Sequence, residues 1–248
     1  MDSAAYLDHL AREGAAFAAA AEGNLDRPVP TCPGWDLAAL VAHLGQVHGW
    51  VREVLAAAGE PYRGSRPDPP ADRSELVGWY RRQVEDLVDD LRSRDPEAPA
   101  WVFTRAGTPT AGWWRRRQAL ETAVHRFDAQ NATGAAGPVP ADLAAEGVDE
   151  MLTELLPTMV SRRPVEGLTG TVHLHATDIP EGAPGEWWLD FDAEGLDARR
   201  EHAKAGTALR GPASGLYLWV WNRQTPQEAG LEVLGESALV DTWRSITL

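Results

Sequence analysis

Glu121 and His125 stand four residues apart in ETAVHRFDAQ, a stretch with helical periodicity. That spacing puts a carboxylate and an imidazole on one helix face about a turn apart, roughly 6 Å, which suits chelation of a metal. A second imidazole, His43, falls on another predicted helix, on the face it shares with Leu40, Val47 and Val51, and so points inward. Helical bundles build metal sites in this way, from Glu and His side chains on facing helices. Two imidazoles and one carboxylate leave at least one coordination position open, which marks a catalytic rather than a structural site. Spacing alone leaves a plainer reading standing: Glu121 and His125 as a solvated pair, and His43 as a hydrogen-bonded core histidine.

Four helix-period segments divided by Pro and Gly breaks must position these groups, at roughly 2–23, 36–58, 73–93 and 112–133. In the second, Leu37, Leu40, Val41, Leu44, Val47 and Val51 recur at three- and four-residue steps, and Asp36 stands where an N-cap belongs. The fourth ends at Gly134, a natural C-cap. A fifth helical pattern runs from Ala141 to about Ser161 and either caps the bundle or starts the next domain. Beyond Pro164 the texture changes: GTVHLHATD, GEWWLDFD and TALRG read as strands, and ASGLYLWVWNR and GESALVDTWRSI as short helices. The first half is therefore a four-helix pattern and the second is α+β.

The 248 residues suffice for one large domain or two small ones. Residues 1–138 carry 19 acids and 15 bases, net −4, and residues 139–248 carry 18 and 8, net −10, which supports two differently built halves. An overall charge of −14 opposes a polyphosphate backbone, so nucleic acid is not an expected partner. No window approaches the 18 or so uncharged apolar residues of a membrane span. The N-terminal stretch has acids where an export signal would be basic and then apolar, so the expected location is cytoplasmic. The single cysteine, Cys32, can build neither an internal disulfide nor a cysteine-based zinc site.

The segment VPTCPGWDLAALVAHLGQVHGWV at 29–51, followed by ETAVHRFDAQNATG at 121–134, resembles the N-terminal domain of the mycothiol-dependent maleylpyruvate isomerase family, a relative of the DinB-like bundles. GTVHLHATD and GPASGLYLWVWNR resemble that family's C-terminal domain. The resemblance implies an α+β fold, with a DinB-like four-helix bundle at 1–138 and a small α+β domain at 139–248. It implies a divalent metal, Zn2+, on His43, Glu121 and His125. Mycothiol is the implied thiol cosubstrate, and a small-molecule electrophile its partner. On that resemblance zinc would hold the thiol as thiolate, and the thiolate would add to a double bond conjugated to a carbonyl. The adduct would turn about the resulting single bond and expel the thiolate to give the trans isomer; an S-transferase would keep the adduct or displace a leaving group. The resemblance further implies an arginine contributed by the second domain. Arg223, closing LYLWVWNR, is the best match, with Arg210 its competitor, and its guanidinium would grip a carboxylate by paired hydrogen bonds. The rival readings are a metal- or small-molecule-binding protein without turnover, and a non-haem iron oxygenase, whose facial triad has the same donor set.

Neighbouring residues have readings of their own. Asp128 is either a hydrogen-bond partner of His125 or His43, or a surface mate of Arg126 or Arg117. Trp35 is a hydrophobic staple or a pocket wall. His48 lies about 140° round the helix from His43 and misses the metal. His9 has no evident partner. His173 and His175 share one strand face, and such a pair can chelate, but without a companion carboxylate at clear spacing they read as a solvated face. Cys32 reads as a small turn residue, with a thiol made reactive by helix-N-terminal charge as the alternative, and Arg115, Arg116 and Arg117 read as a solvated basic run, with anionic substrate groups as the alternative use.

Overall fold

The computed structural model describes residues 1–162, 168–180, 183–192 and 195–246. They form two compact units: Met1–Phe103 with Gly107–Gly137, and Pro138–Leu248 with the short stretch Thr104–Ala106. Among the described residues no helix is long and apolar enough to cross a membrane.

The first unit is the expected bundle of four helices, α1 (Ser3–Ala21), α2 (Leu37–Ala56), α3 (Leu76–Ser93) and α4 (Ala111–Thr133). Three of them start at side-chain caps. Asp2 accepts from the amides of Ala4 and Ala5, Asp36 from Ala39 and Thr110 from Trp113, which satisfies backbone donors that a helix start leaves orphaned. At the end of α4, Gly134 adopts the left-handed conformation (φ 75°), and the amide of Ala135 returns to the carbonyl of Gln130. α1 packs on α3 and α4, and α2 packs on the same two. The core is made by fully buried residues such as Leu10, Phe17, Leu40, Leu44, Val51, Tyr80, Leu87 and Leu120.

Buried polar side chains fix how these helices meet. Arg126 on α4 donates to Glu13 on α1 at 2.7 Å and to the carbonyl of Gly137 at 2.7 Å. His48 on α2 bonds Gln118 on α4 at 2.8 Å. The basic run is not solvated as expected. Arg115 is buried and donates to the carbonyls of Leu91 and Arg94, both at 2.7 Å, and to Ser3 Oγ at 2.8 Å. The C-terminal carbonyls of α3 need donors, and an arginine from a neighbouring helix meets that need, a tertiary requirement that the local charge run does not reveal. His9 likewise has a neighbour, with Arg12 3.3 Å from its Nδ1.

In the second unit the predicted fifth helix runs as α5 (Ala141–Glu150), a π-helical turn (Met151–Leu155) and α6 (Leu156–Arg162). α5 packs on α7 (Ala213–Val220) and so belongs to this unit. A five-stranded sheet has the order β3-β2-β1-β4-β5, formed by β1 (Gly170–Ala176), β2 (Glu186–Asp192), β3 (Gly195–Arg199), β4 (Thr207–Gly211) and β5 (Glu232–Gly235). β1 and β4 are parallel; the other pairs are antiparallel. Val172, Leu174, Leu189, Phe191 and Leu209 are buried on one face, where α7 packs on β1 and β4. Trp219 of α7 stacks on Trp243 of α8 (Ala238–Trp243) at 4.7 Å between ring centroids.

The predicted strands correspond to β1, β2 and β4. β3 and β5 are edge strands without a regular apolar alternation, and β5 is exposed throughout, so they escaped the pattern. The reading of His173 and His175 as a solvated pair is also corrected. His173 is buried, because Glu186 from β2 and His202 from the segment after β3 close over it. The missing carboxylate comes from an adjacent strand.

Burial of His48 has a consequence for acid stability. Desolvation pushes its pKa down from 6.5 to about 4, so the folded protein holds it neutral while the unfolded chain binds a proton between those values. Its contribution is therefore intact above pH 6.5 and is lost as pH falls toward 4, by up to about 3 kcal/mol. In metal-stripped protein, His48→Asn, which keeps a donor toward Gln118, should flatten the acid limb of the unfolding free energy between pH 6.5 and 4. Denaturant titrations across that range are the measurement, and an unchanged slope would assign the acid sensitivity elsewhere.

Candidate metal centre

The structure brings His43, Glu121 and His125 together. His43 Nε2 is 3.8 Å and His125 Nε2 is 3.5 Å from the same carboxylate oxygen, Glu121 Oε1. The two imidazoles meet edge-on with centroids 5.3 Å apart, and the three donor atoms all lie within 4.8 Å of one another. α4 supplies Glu121 and His125 one turn apart, and α2 supplies His43 from the helix packed against it. The site is half-closed: side-chain exposure is 26% at His43, 15% at Glu121 and 11% at His125. Burial, followed by the charges of His125 and Arg66, lowers the His43 pKa to about 4, so at neutral pH it presents a lone pair.

His125 and Glu121 are held from behind. Asp128, fully buried, bonds His125 Nδ1 at 2.9 Å, which leaves Nε2 turned toward Glu121. Of the alternatives for Asp128, the structure shows the hydrogen bond to His125, while Arg126 bonds Glu13 and Arg117 bonds Glu121. Arg117 Nη2 donates to Glu121 Oε2, the oxygen that does not face the histidines. Its i,i+4 spacing from Glu121 was visible in the sequence, although its role was not. Trp35 lies 5.0 Å from the His43 ring, which makes it a wall of the site.

The loop before α2 completes the arrangement. Pro33 and Gly34 occupy the centre of a turn closed by the amide of Trp35 on the carbonyl of Cys32, and Gly34 has the positive φ (85°) that a type II turn requires. The turn aims two side chains at Asp128: Thr31 Oγ1 donates to Oδ1 at 2.6 Å, and Cys32 Sγ approaches Oδ2 at 3.7 Å. No feature of the sequence marked Thr31, because its partner lies 97 residues away. His48 stays off the centre, as its angular position predicted.

Arg223 lies just past α7 in the second unit. It donates to the carbonyl of Trp221 at 2.9 Å, with its guanidinium carbon 5.9 Å from the Trp221 ring centre. Arg210 is on β4, half-exposed and 3.9 Å from Glu232.

Two family models match the chain: the mycothiol maleylpyruvate isomerase N-terminal domain over residues 7–130 and the C-terminal domain of the same family over 142–242. Among solved structures, a mycothiol-dependent maleylpyruvate isomerase superposes with a TM-score of 0.59 at 13% identity, covering 95% of both chains. A histidine-to-alanine mutant of such an isomerase gives 0.58 at the same identity and coverage. Curated protein sequences gave no significant match.

The Asp128 hydrogen bond offers a test of how the donors are set. Asp128→Asn should weaken divalent metal binding by about 10- to 100-fold while the bundle stays folded. Competition against a chromophoric chelator reads this directly, and wild-type affinity would mean that Asp128 does not orient His125.

Proposed function

The chain belongs to the mycothiol maleylpyruvate isomerase family, and we propose that it is a mycothiol-dependent metalloenzyme, an isomerase or S-transferase acting on a small unsaturated or electrophilic molecule. The observation that carries this reading is the convergence of His43, Glu121 and His125 inside the family's N-terminal domain. We assign these three as ligands of one divalent ion, Zn2+, with the chain working in the cytoplasm as a bundle at 1–138 and an α+β half at 139–248. The donor set suits that ion: two neutral imidazoles and a carboxylate, with a position left for an exogenous ligand. When bound, the metal supplies the Lewis acidity that keeps a thiol ionised, and mycothiol supplies the sulfur nucleophile that adds reversibly to the substrate.

The chain's own residues prepare that chemistry. Asp128 holds the Nδ1 proton of His125 and so keeps Nε2 as an electron-pair donor. Arg117 neutralises and orients Glu121 from the side away from the histidines. Trp35 shields His43 and limits the approach of water. Cys32 directs its thiol at the Asp128 carboxylate, which engages it as part of the loop's packing, and the nucleophile in this reading is the external thiol.

For the second domain we assign Arg223 as the residue that grips a substrate or conjugate carboxylate. Its planar fork pairs with a carboxylate as lysine cannot. Arg210 is the weaker candidate, since Glu232 already faces it.

Turnover of maleylpyruvate or a related electrophile should require added mycothiol in both wild type and Cys32→Ser. Thiol-free turnover by wild type together with a dead Cys32→Ser protein would make Cys32 the nucleophile instead. For the arginine, Arg223→Lys should lose at least about tenfold in kcat/KM, about 1.4 kcal/mol, with metal content unchanged. Arg210→Lys should behave as wild type, and the opposite pattern would transfer the role to Arg210.

A further inference from the structure

A second trio of metal-binding side chains lies in the α+β unit. β1 and β2 pair so that His175 faces Glu186 and His173 faces Trp188, which places His173 and Glu186 diagonally on one face of the sheet. His173 Nε2 is 2.9 Å from Glu186 Oε2. His202, in the segment between β3 and β4, brings Nδ1 to that same oxygen. The two imidazole rings meet edge-on at 5.0 Å, and the three donor atoms all lie within 4.8 Å of one another.

We propose that His173, Glu186 and His202 form a second metal site, for a borderline first-row dication such as Zn2+ or Ni2+. The chemistry of the donors sets this class. Imidazole nitrogen with one carboxylate oxygen prefers such ions over Mg2+ or Ca2+, which take oxygen ligands. The donors also differ usefully in freedom. His173 is fixed in the sheet with its side chain 9% exposed, whereas that of His202 is 76% exposed and has room to settle into a coordination sphere. The segment carrying His202 is already anchored on both sides. Arg200 forms a paired interaction with Asp149 at 2.5 and 2.9 Å, and the amide of Gly206 bonds Thr171 Oγ1 at 2.8 Å. A metal would take the place of these two hydrogen bonds, with each imidazole carrying its proton on the ring nitrogen away from the ion, and would draw the nitrogens and oxygen in to bonds of about 2.0–2.2 Å. It would tie the β3–β4 connection to the sheet, and the site does not depend on the bundle's own metal.

Full-length protein, stripped with a chelator and titrated with Zn2+ against a chromophoric competitor, tests this. Wild type should take up two equivalents, His125→Ala should keep the one held by the sheet, and His202→Ala should lose it, weakening binding there by at least about tenfold. Glu186→Gln should act like His202→Ala, and the exposed position of His202 leaves its variant folded. Loss of all Zn2+ in His125→Ala, or uptake in His202→Ala and Glu186→Gln equal to wild type, would overturn the proposal. A single wild-type equivalent that disappears in His202→Ala would support it while counting against metal binding in the bundle.

Discussion

A carboxylate removed from water must be given hydrogen-bond donors, and Asp128 has no solvent contact at all. It finds them in the His125 ring, the Thr31 hydroxyl and the Cys32 thiol. One buried carboxyl group thereby orients the imidazole of a candidate metal-binding histidine and docks the loop that leads into α2. That loop also delivers Trp35 to the His43 ring. The geometry of the centre thus follows from satisfying one buried charge.

The same logic runs through the bundle interior. Arg126 with Glu13, Arg115 with the carbonyls ending α3, and His48 with Gln118 join α4 to each of the other three helices. Apolar packing between helices is tolerant of small slides, whereas a buried ion pair or hydrogen bond is not, since a shifted register would strand a charge. These contacts set α4 against α2 closely enough for side chains from two helices to share one carboxylate oxygen.

The two donor clusters are built by different regularities. In the bundle, helical pitch places Glu121 and His125 together and packing adds His43. In the sheet, strand register places His173 beside Glu186 and a connecting segment adds His202. Each joins a locally fixed pair to a third donor side chain brought by tertiary structure. These third residues differ in what holds them, a packed helix for His43 and an anchored surface segment for His202.

Helical periodicity, caps at Asp36 and Gly134, and the change of texture after Pro164 made the four helices, three of the strands and the α+β class readable from the sequence, because those signals are local. The Glu121 and His125 pair was readable for the same reason, and the inward direction of His43 followed from the apolar face around it. Edge strands β3 and β5 were not, since β5 is exposed along its length and β3 is only half-buried, and neither carries a regular apolar alternation. Thr31 on Asp128, Arg115 on the end of α3, and Glu186 with His202 around His173 depend on partners 13 to 97 residues apart. Such pairings are decided only when the chain folds, because a buried polar group takes whichever partner packing brings within reach, and sequence distance has no bearing on that choice.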